Sequence, residues 1–343
     1  MLPGTDGSHD GYREIIFEIQ SDSVAGPSAW NDEQVIARDS RFANGAATSV
    51  GALPHRDAAA AAAFAMGEFE IATVPSLPNV AAFTADALAT ERLDDSAFAG
   101  LHAFLNLARN VSFDGLPVTW HLPGPLTIGA SLCEAGVAPV EAFALAVEVA
   151  RGKLLDVSGE ISGALPSSPQ LVMLDEPALA DLMSPDFPIP PDHAIDVISS
   201  AMACIAGAAV VGIHCEELCD LATMLAAGPG VISVPVDEKL VDWTGYINRF
   251  LDDGGVIAWG VVPTGGPIAS TSERYWRQLS ELWCELVARG CDPVALRRQS
   301  MVTPGGSLDA HAVSVARRLA RMTAEISKRV KDQANATRFA LGA

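Results

Sequence analysis

The sequence predicts an α/β protein whose main body is a (β/α)8 TIM barrel, and three observations predict it. Short apolar runs recur eight times between residues 46 and 304, most of them followed by a stretch with helical spacing. Several runs stop at polar residues beside a proline or glycine turn, most clearly in Leu171-Val-Met-Leu-Asp-Glu-Pro177. The span 46–330 also matches the usual size of such a barrel, roughly 250 residues. Residues 1–45 are expected to form an irregular N-terminal extension and 331–343 a C-terminal tail, with no second domain. A doubly wound open sheet is the alternative, but it expects a glycine-rich phosphate turn after the first strand, and Gly51-Ala-Leu-Pro54 is not one.

In chain order, residues 1–45 are polar and aperiodic, with Tyr12–Ile19 able to form one short element. Thr48–Pro54 reads as the first strand, followed by an alanine-rich helix over Asp57–Met66. Glu70–Pro75 is the second strand, with helical segments reaching about Arg109. Pro117–Pro123 is the third, and the three-and-four spacing of apolar residues predicts a long helix over Pro139–Ala164. Leu171–Leu174, Ala209–His214, Val231–Val236, Val256–Val262 and Ser300–Thr303 complete the strands. Helices are expected near Ile195–Ala206, Leu218–Ala226, Trp243–Asp252, Ser272–Ala288 and Asp309–Lys328.

Composition narrows the function classes. An apolar fraction of 49% suffices for a large core, and six cysteines in 343 residues are no disulfide framework. They read as reduced thiols of a cytoplasmic protein. A net charge of −20 opposes binding to phosphate backbones, so nucleic acid is not an expected partner. No apolar run reaches the roughly 18 residues that span a bilayer, and no signal peptide is visible at the start. A small-molecule substrate remains. Oligomeric state is not legible.

In a barrel, the residues just after the strands meet on one face whatever their separation in sequence. That face is expected to gather His55, His121, Asp175, Glu176, His214, Cys215, Glu216, Asp237, Glu238 and Thr264. Each also has a structural explanation: Asp175 as a cap, Glu176 as a solvated charge, His121 as a core imidazole. His55 and Asp57 open a helix equally well. His214-Cys-Glu-Glu-Leu-Cys219 is the most metal-like stretch, since imidazole, thiolate and carboxylate all bind zinc. Its spacing fits no standard zinc signature, because His214 and Cys215 would face opposite sides of an extended strand.

Taken as a series, Val50-Gly-Ala-Leu-Pro54, Leu122-Pro-Gly-Pro-Leu-Thr127, Leu174-Asp-Glu-Pro-Ala-Leu179, Gly212-Ile-His-Cys215, Trp259-Gly-Val-Val-Pro-Thr264 and Val302-Thr-Pro304 resemble the catalytic barrel of cobalamin-independent methionine synthase. The wider superfamily also contains uroporphyrinogen decarboxylase. The Asp-Glu-Pro-Ala-Leu element is the most specific, and the series covers roughly 47–328. The resemblance implies zinc-dependent methyl transfer from a folate-type donor to a thiol such as homocysteine. Asp175, matching the family's aspartate, would hold the amino group of an amino-acid substrate, and Asp175, Glu176 and His121 are the residues expected to be catalytic. Asp175, Gly51, Ala52, His55 and Thr264 would bind substrate, and His214, Cys215 and Glu216 would hold the metal.

Departures from the family pattern accompany the match. The second ligand, a cysteine two residues after the histidine, is Glu216 here, with a thiol at Cys215 instead. The sixth-strand carboxylate falls near Pro235, leaving only Asp237 or Glu238 to replace it, and the late cysteine falls near Gly306. Ala52 stands where a serine is usual, and Pro263-Thr-Gly-Gly-Pro267 lacks the family's histidine. Two alternatives follow: a metal-free homologue that binds an amino acid without methyl transfer, and a decarboxylase-like enzyme. The second expects arginines for substrate carboxylates, and Arg56 is the main candidate.

Overall fold

Eight parallel strands follow one another around a sheet in chain order from the second to the eighth, with the first beside the eighth and helices in the connections. This is the predicted (β/α)8 arrangement. A computed structural model describes residues 40–77 and 96–340, the last five without their side chains. The Tyr12–Ile19 element and the expected helical segments over 78–95 lie outside the described residues.

The strands are β1 (Ala46–Ala47), β2 (Ala72–Thr73), β3 (Val118–Pro123), β4 (Gln170–Asp175), β5 (Val210–His214), β6 (Val231–Pro235), β7 (Val256–Val262) and β8 (Ser300–Pro304). Strands β3 to β8 fall where the apolar runs place them. The first strand lies before the expected Thr48–Pro54 and shares no residue with it, and the second covers only two residues of the expected Glu70–Pro75. Gly51 turns the chain at φ +54°, and Pro54 has no N–H to offer a ladder. Pairing nevertheless continues past these short strands: Ile71 N–H donates to Ala47 O (2.9 Å), Leu53 N–H to Ser76 O (3.2 Å) and Ser76 N–H to Gly51 O (3.0 Å). These bonds bring the first and second strands together and close the ring.

Side chains facing the axis fill the ring. Phe42, Ala43, Ala46, Ile71, Leu171, Met173, Val231, Val256, Ala258 and Met301 form its apolar floor. Each large side chain among them contributes about 1.5–3 kcal/mol by leaving water. Beside this floor lies a polar patch in which Thr48, Thr73 and Thr119 hydrogen-bond one another at 2.6–3.0 Å. The space left inside is about 10 Å3, so this is a packed core and not a channel. On the outer face, Trp120 Nε1 donates to Gln170 Oε1 (3.1 Å) and Trp259 Nε1 to Ser300 Oγ (2.8 Å), which satisfies both buried indoles.

Among the helices, α1 is Ala58–Glu68, α2 Ala99–Asn110, α3 Pro125–Glu134, α4 Pro139–Ala164 and α5 Pro191–Met202. Then come α6 (Leu221–Ala226), α7 (Thr244–Asp252), α8 (Glu273–Ala288), α9 (Pro293–Arg298) and α10 (Val313–Ala340). Helix α4 has the expected bounds. Helix α5 starts four residues before the expected Ile195, because Pro191 sits in its first turn, where no N–H is needed. Helix α9 was not anticipated; Asp292 caps it by accepting from Val294 N–H, and Pro293 begins it. Helix α10 runs through the stretch expected to be a tail and reaches Ala340. Among the described residues, no helix is long and apolar enough to cross a membrane.

Candidate functional site

Strand register settles which residues meet. Asp175 pairs with Pro123 on one side and with His214 on the other, and His214 pairs with Ser233. Four neighbouring strands thus present His121, Asp175, His214 and Ser233 toward one end of the ring. The rings of His121 and His214 lie edge to face, 5.8 Å apart at 79°. His121 Nδ1 and Asp175 Oδ1 are hydrogen-bonded at 2.7 Å. A carboxylate only accepts, so Nδ1 carries the proton and Nε2 of the neutral ring keeps its lone pair. Gly51 lies against this imidazole: a Cβ at its position would stand 3.3 Å from His121 Cβ.

His214 is buried, and its Nδ1 lies 2.8 Å from Ser233 Oγ. Its Nε2 is buried without a hydrogen-bond partner; Glu216 Oε1 faces it at 3.9 Å. Glu216 is placed by the turn after β8, accepting from Ser307 N–H at 2.8 Å. Gly306 leaves the room, since a Cβ there would sit 2.5 Å from the Glu216 carboxyl carbon. The facing His214 imidazole, followed by the Ser307 N–H, holds the Glu216 carboxyl below the ordinary carboxylate range, against partial burial.

Glu176 takes a different side. It is fully buried, and its carboxylate caps α3 by accepting from Leu126 N–H (2.9 Å), Thr127 N–H (2.7 Å) and Thr127 Oγ1 (2.7 Å). Gly124 makes this possible, because a Cβ there would lie 2.1 Å from the carboxyl carbon. Burial pushes the Glu176 carboxyl up to about 7, against the three donors. The expected catalytic glutamate is therefore placed as a helix cap behind the site. Pro177 opens a 3-10 turn over Pro177–Ala180.

The three expected metal ligands do not converge. His214 faces the interior of the ring, and Cys215, one residue on, turns outward to Cys219, whose thiol hydrogen-bonds it and holds it below the ordinary thiol range. Cys219 is correspondingly pushed up. Among the described residues, no three His, Cys, Asp or Glu side chains form a group fit to hold a metal ion. Zinc therefore does not fit the donors present. Asp237, the other possible replacement ligand, caps the turn Glu238–Trp243 by accepting from Lys239 N–H at 2.8 Å.

The remaining expected substrate residues have these surroundings. Ala52 bridges to Ser76, and its carbonyl accepts from Leu308 N–H. His55 packs on Phe64 at 4.8 Å; burial, and then Arg317, push its pKa down. Thr264 is half-buried in the turn after β7, and Arg56 is exposed. Sequence reasoning missed Ser233, Ser307 and Thr127. Ser233 carried a signal, as the one polar residue inside the apolar run Val231–Val236. Thr127 and Ser307 carried none, because their roles depend on which loop reaches which carboxylate.

No family model matches the chain, and no curated protein matches it. Among solved structures it is similar to a methyltransferase from Methanosarcina mazei, with 14% identity and a TM-score of 0.48, over 80% of this chain and 86% of that one. It is also similar to a putative vitamin-B12 independent methionine synthase from Listeria monocytogenes: 14% identity, TM-score 0.42, 76% and 72% covered. A third likeness is to a dihydrodipicolinate synthase from Agrobacterium tumefaciens: 11% identity, TM-score 0.40, 85% and 80% covered.

Proposed function

We propose that the chain is an enzyme acting on a small molecule at this end of the ring, and that its reaction is methyl transfer to a thiol. The observation that carries the reading is the 2.7 Å bond between His121 Nδ1 and Asp175, which fixes one tautomer and leaves Nε2 as a proton acceptor. A thiol becomes a good methyl acceptor only as a thiolate. A metal is one way to make the thiolate, and an oriented imidazole is another. The donors present favour the imidazole. The choice of thiol, and of a methyl donor of the folate type, rests on the motif series around Leu174-Asp-Glu-Pro-Ala-Leu179. In this reading His121 takes the thiol proton, Asp175 stabilises the resulting imidazolium, and Gly51 admits the ring.

The test supplies homocysteine and a methyl-labelled reduced folate to the purified full chain and follows label in methionine by mass spectrometry. Label transfer above an Asp175→Asn control supports the reading, and its absence sinks it. A second reading has one observation in its favour: the expected metal ligands do not assemble. In that case the chain binds an amino acid without turning it over. Calorimetry showing tight binding of homocysteine or methionine, with no label transfer, selects this second reading.

A further inference from the structure

We infer that His121 and His214 are held in opposite tautomers, so that together they receive a single X–H group: His121 Nε2 accepts its proton and His214 Nε2–H donates to the atom left behind. The inference rests on the methyl-transfer reading for the identity of X as sulfur, though not for the tautomers themselves.

The argument for His121 is given by Asp175, which can only accept, so Nδ1 bears the hydrogen. For His214 the surroundings are reversed. Its Nδ1 faces a serine hydroxyl at 2.8 Å, a group able to donate. Its Nε2 faces a carboxylate at 3.9 Å and is buried with no hydrogen-bond partner. Were Nδ1 the protonated nitrogen, the Nε2 lone pair would be buried facing the Glu216 carboxylate with no donor near it. With the proton on Nε2, the N–H points at negative charge and Ser233 donates to Nδ1. The second arrangement gives Nδ1 a donor and turns the Nε2–H, rather than a lone pair, toward negative charge, so it is the one the geometry favours. Glu216 stays in place because Ser307 N–H holds it and Gly306 makes room. It stands too far off to hydrogen-bond the N–H, which leaves that buried donor without a protein partner.

A thiol is both donor and acceptor, and the two imidazoles, with ring centres 5.8 Å apart, offer one of each. In the reaction the S–H bond breaks and its proton passes to His121 Nε2. The sulfur, steadied by His214 Nε2–H, forms the S–CH3 bond as the N–CH3 bond of the donor breaks. The electron pair of that bond stays on the donor nitrogen, which takes the proton back from His121. A thiol and a methylated amine go in; a thioether and the parent amine come out. His214 thereby contributes as a hydrogen-bond donor, with Ser233 and Glu216 as its positioning residues.

The experiment is nitrogen NMR of the full chain labelled with 15N-histidine, which reads the tautomer of each ring without any turnover. The expected result is His121 protonated on Nδ1 and His214 on Nε2. Ser233→Ala and Glu216→Ala should each turn the His214 signal into a mixture of tautomers and leave His121 unchanged, while Ser233→Thr and Glu216→Gln, which keep a donor and an acceptor, should restore it. A His214 protonated on Nδ1, or one whose signal neither alanine variant moves, overturns the inference. So does stoichiometric zinc in protein purified without chelator that disappears in His214→Ala. Failure of label transfer with the tautomers as assigned counts against the methyl-transfer reading alone.

Discussion

The ends of β4 and β5 are built from similar material and put it to opposite use. Each strand sends one residue inward, Asp175 or His214, and these two are register partners. Each then sends the next residue outward into the wall. After β4 that residue is Glu176, a carboxylate locked into the N-terminus of α3 by three donors. After β5 it is Cys215, a thiol paired with Cys219, and the chain is then free to swing Glu216 back toward His214. Adjacent charges in a sequence motif can thus belong to different parts of the molecule. At β4 the second carboxylate builds the scaffold, whereas at β5 the return of Glu216 builds the site.

Separating the two β4 carboxylates gives the largest expected effect. Asp175→Asn lets an amide donate to His121 Nδ1 and move its proton to Nε2; kcat should fall by ~10²–10⁴-fold with little change in stability. Steady-state kinetics paired with urea unfolding checks this, and an unaltered rate breaks the comparison. Glu176→Ala should do the reverse. It leaves the N–H groups of Leu126 and Thr127 unsatisfied, at a cost of about 2–4 kcal/mol in unfolding free energy.

The pH dependence of stability sharpens the same contrast. The Glu176 carboxyl is raised from its ordinary value of 4.5 to about 7, so the folded chain binds this proton more tightly than the unfolded one. Its contribution is fully present below about 4.5 and is lost as pH rises through about 7, a span worth roughly 3 kcal/mol. The difference in unfolding free energy between pH 5 and pH 8 should therefore shrink in Glu176→Gln. An identical slope in both proteins would remove Glu176 from that role.

At β5 the smallest effect is expected from Cys215→Ala. The thiol faces outward, so the variant should lose about 1 kcal/mol of stability and keep its rate within about twofold. A collapse of activity there would put the thiol back in the site and erase the difference between the two strand ends.

How much of this was legible follows from the physics of each signal. Strands β3 to β8 were visible because a strand covered on both faces reads as an unbroken apolar run. The first strand was misplaced, because Gly51 and Pro54 interrupt the ladder inside the run Thr48–Pro54, which still looks apolar, and the second was expected too long. The meeting of Asp175 with His214 was legible once a barrel was assumed, as strand ends must then converge. The division of labour between Asp175 and Glu176 was not, since it depends on the alternation of strand faces and on the space left at Gly124. Ser307 reaches Glu216 across 91 residues of sequence, and nothing local announces it.

The central claim is that Asp175 serves the site while its neighbour Glu176 serves the frame. A calorimetric titration of homocysteine into wild type and Asp175→Asn tests it most directly. Binding weakened tenfold or more in a variant that unfolds at the wild-type urea concentration is the predicted result. Equal affinity in the two proteins would contradict it.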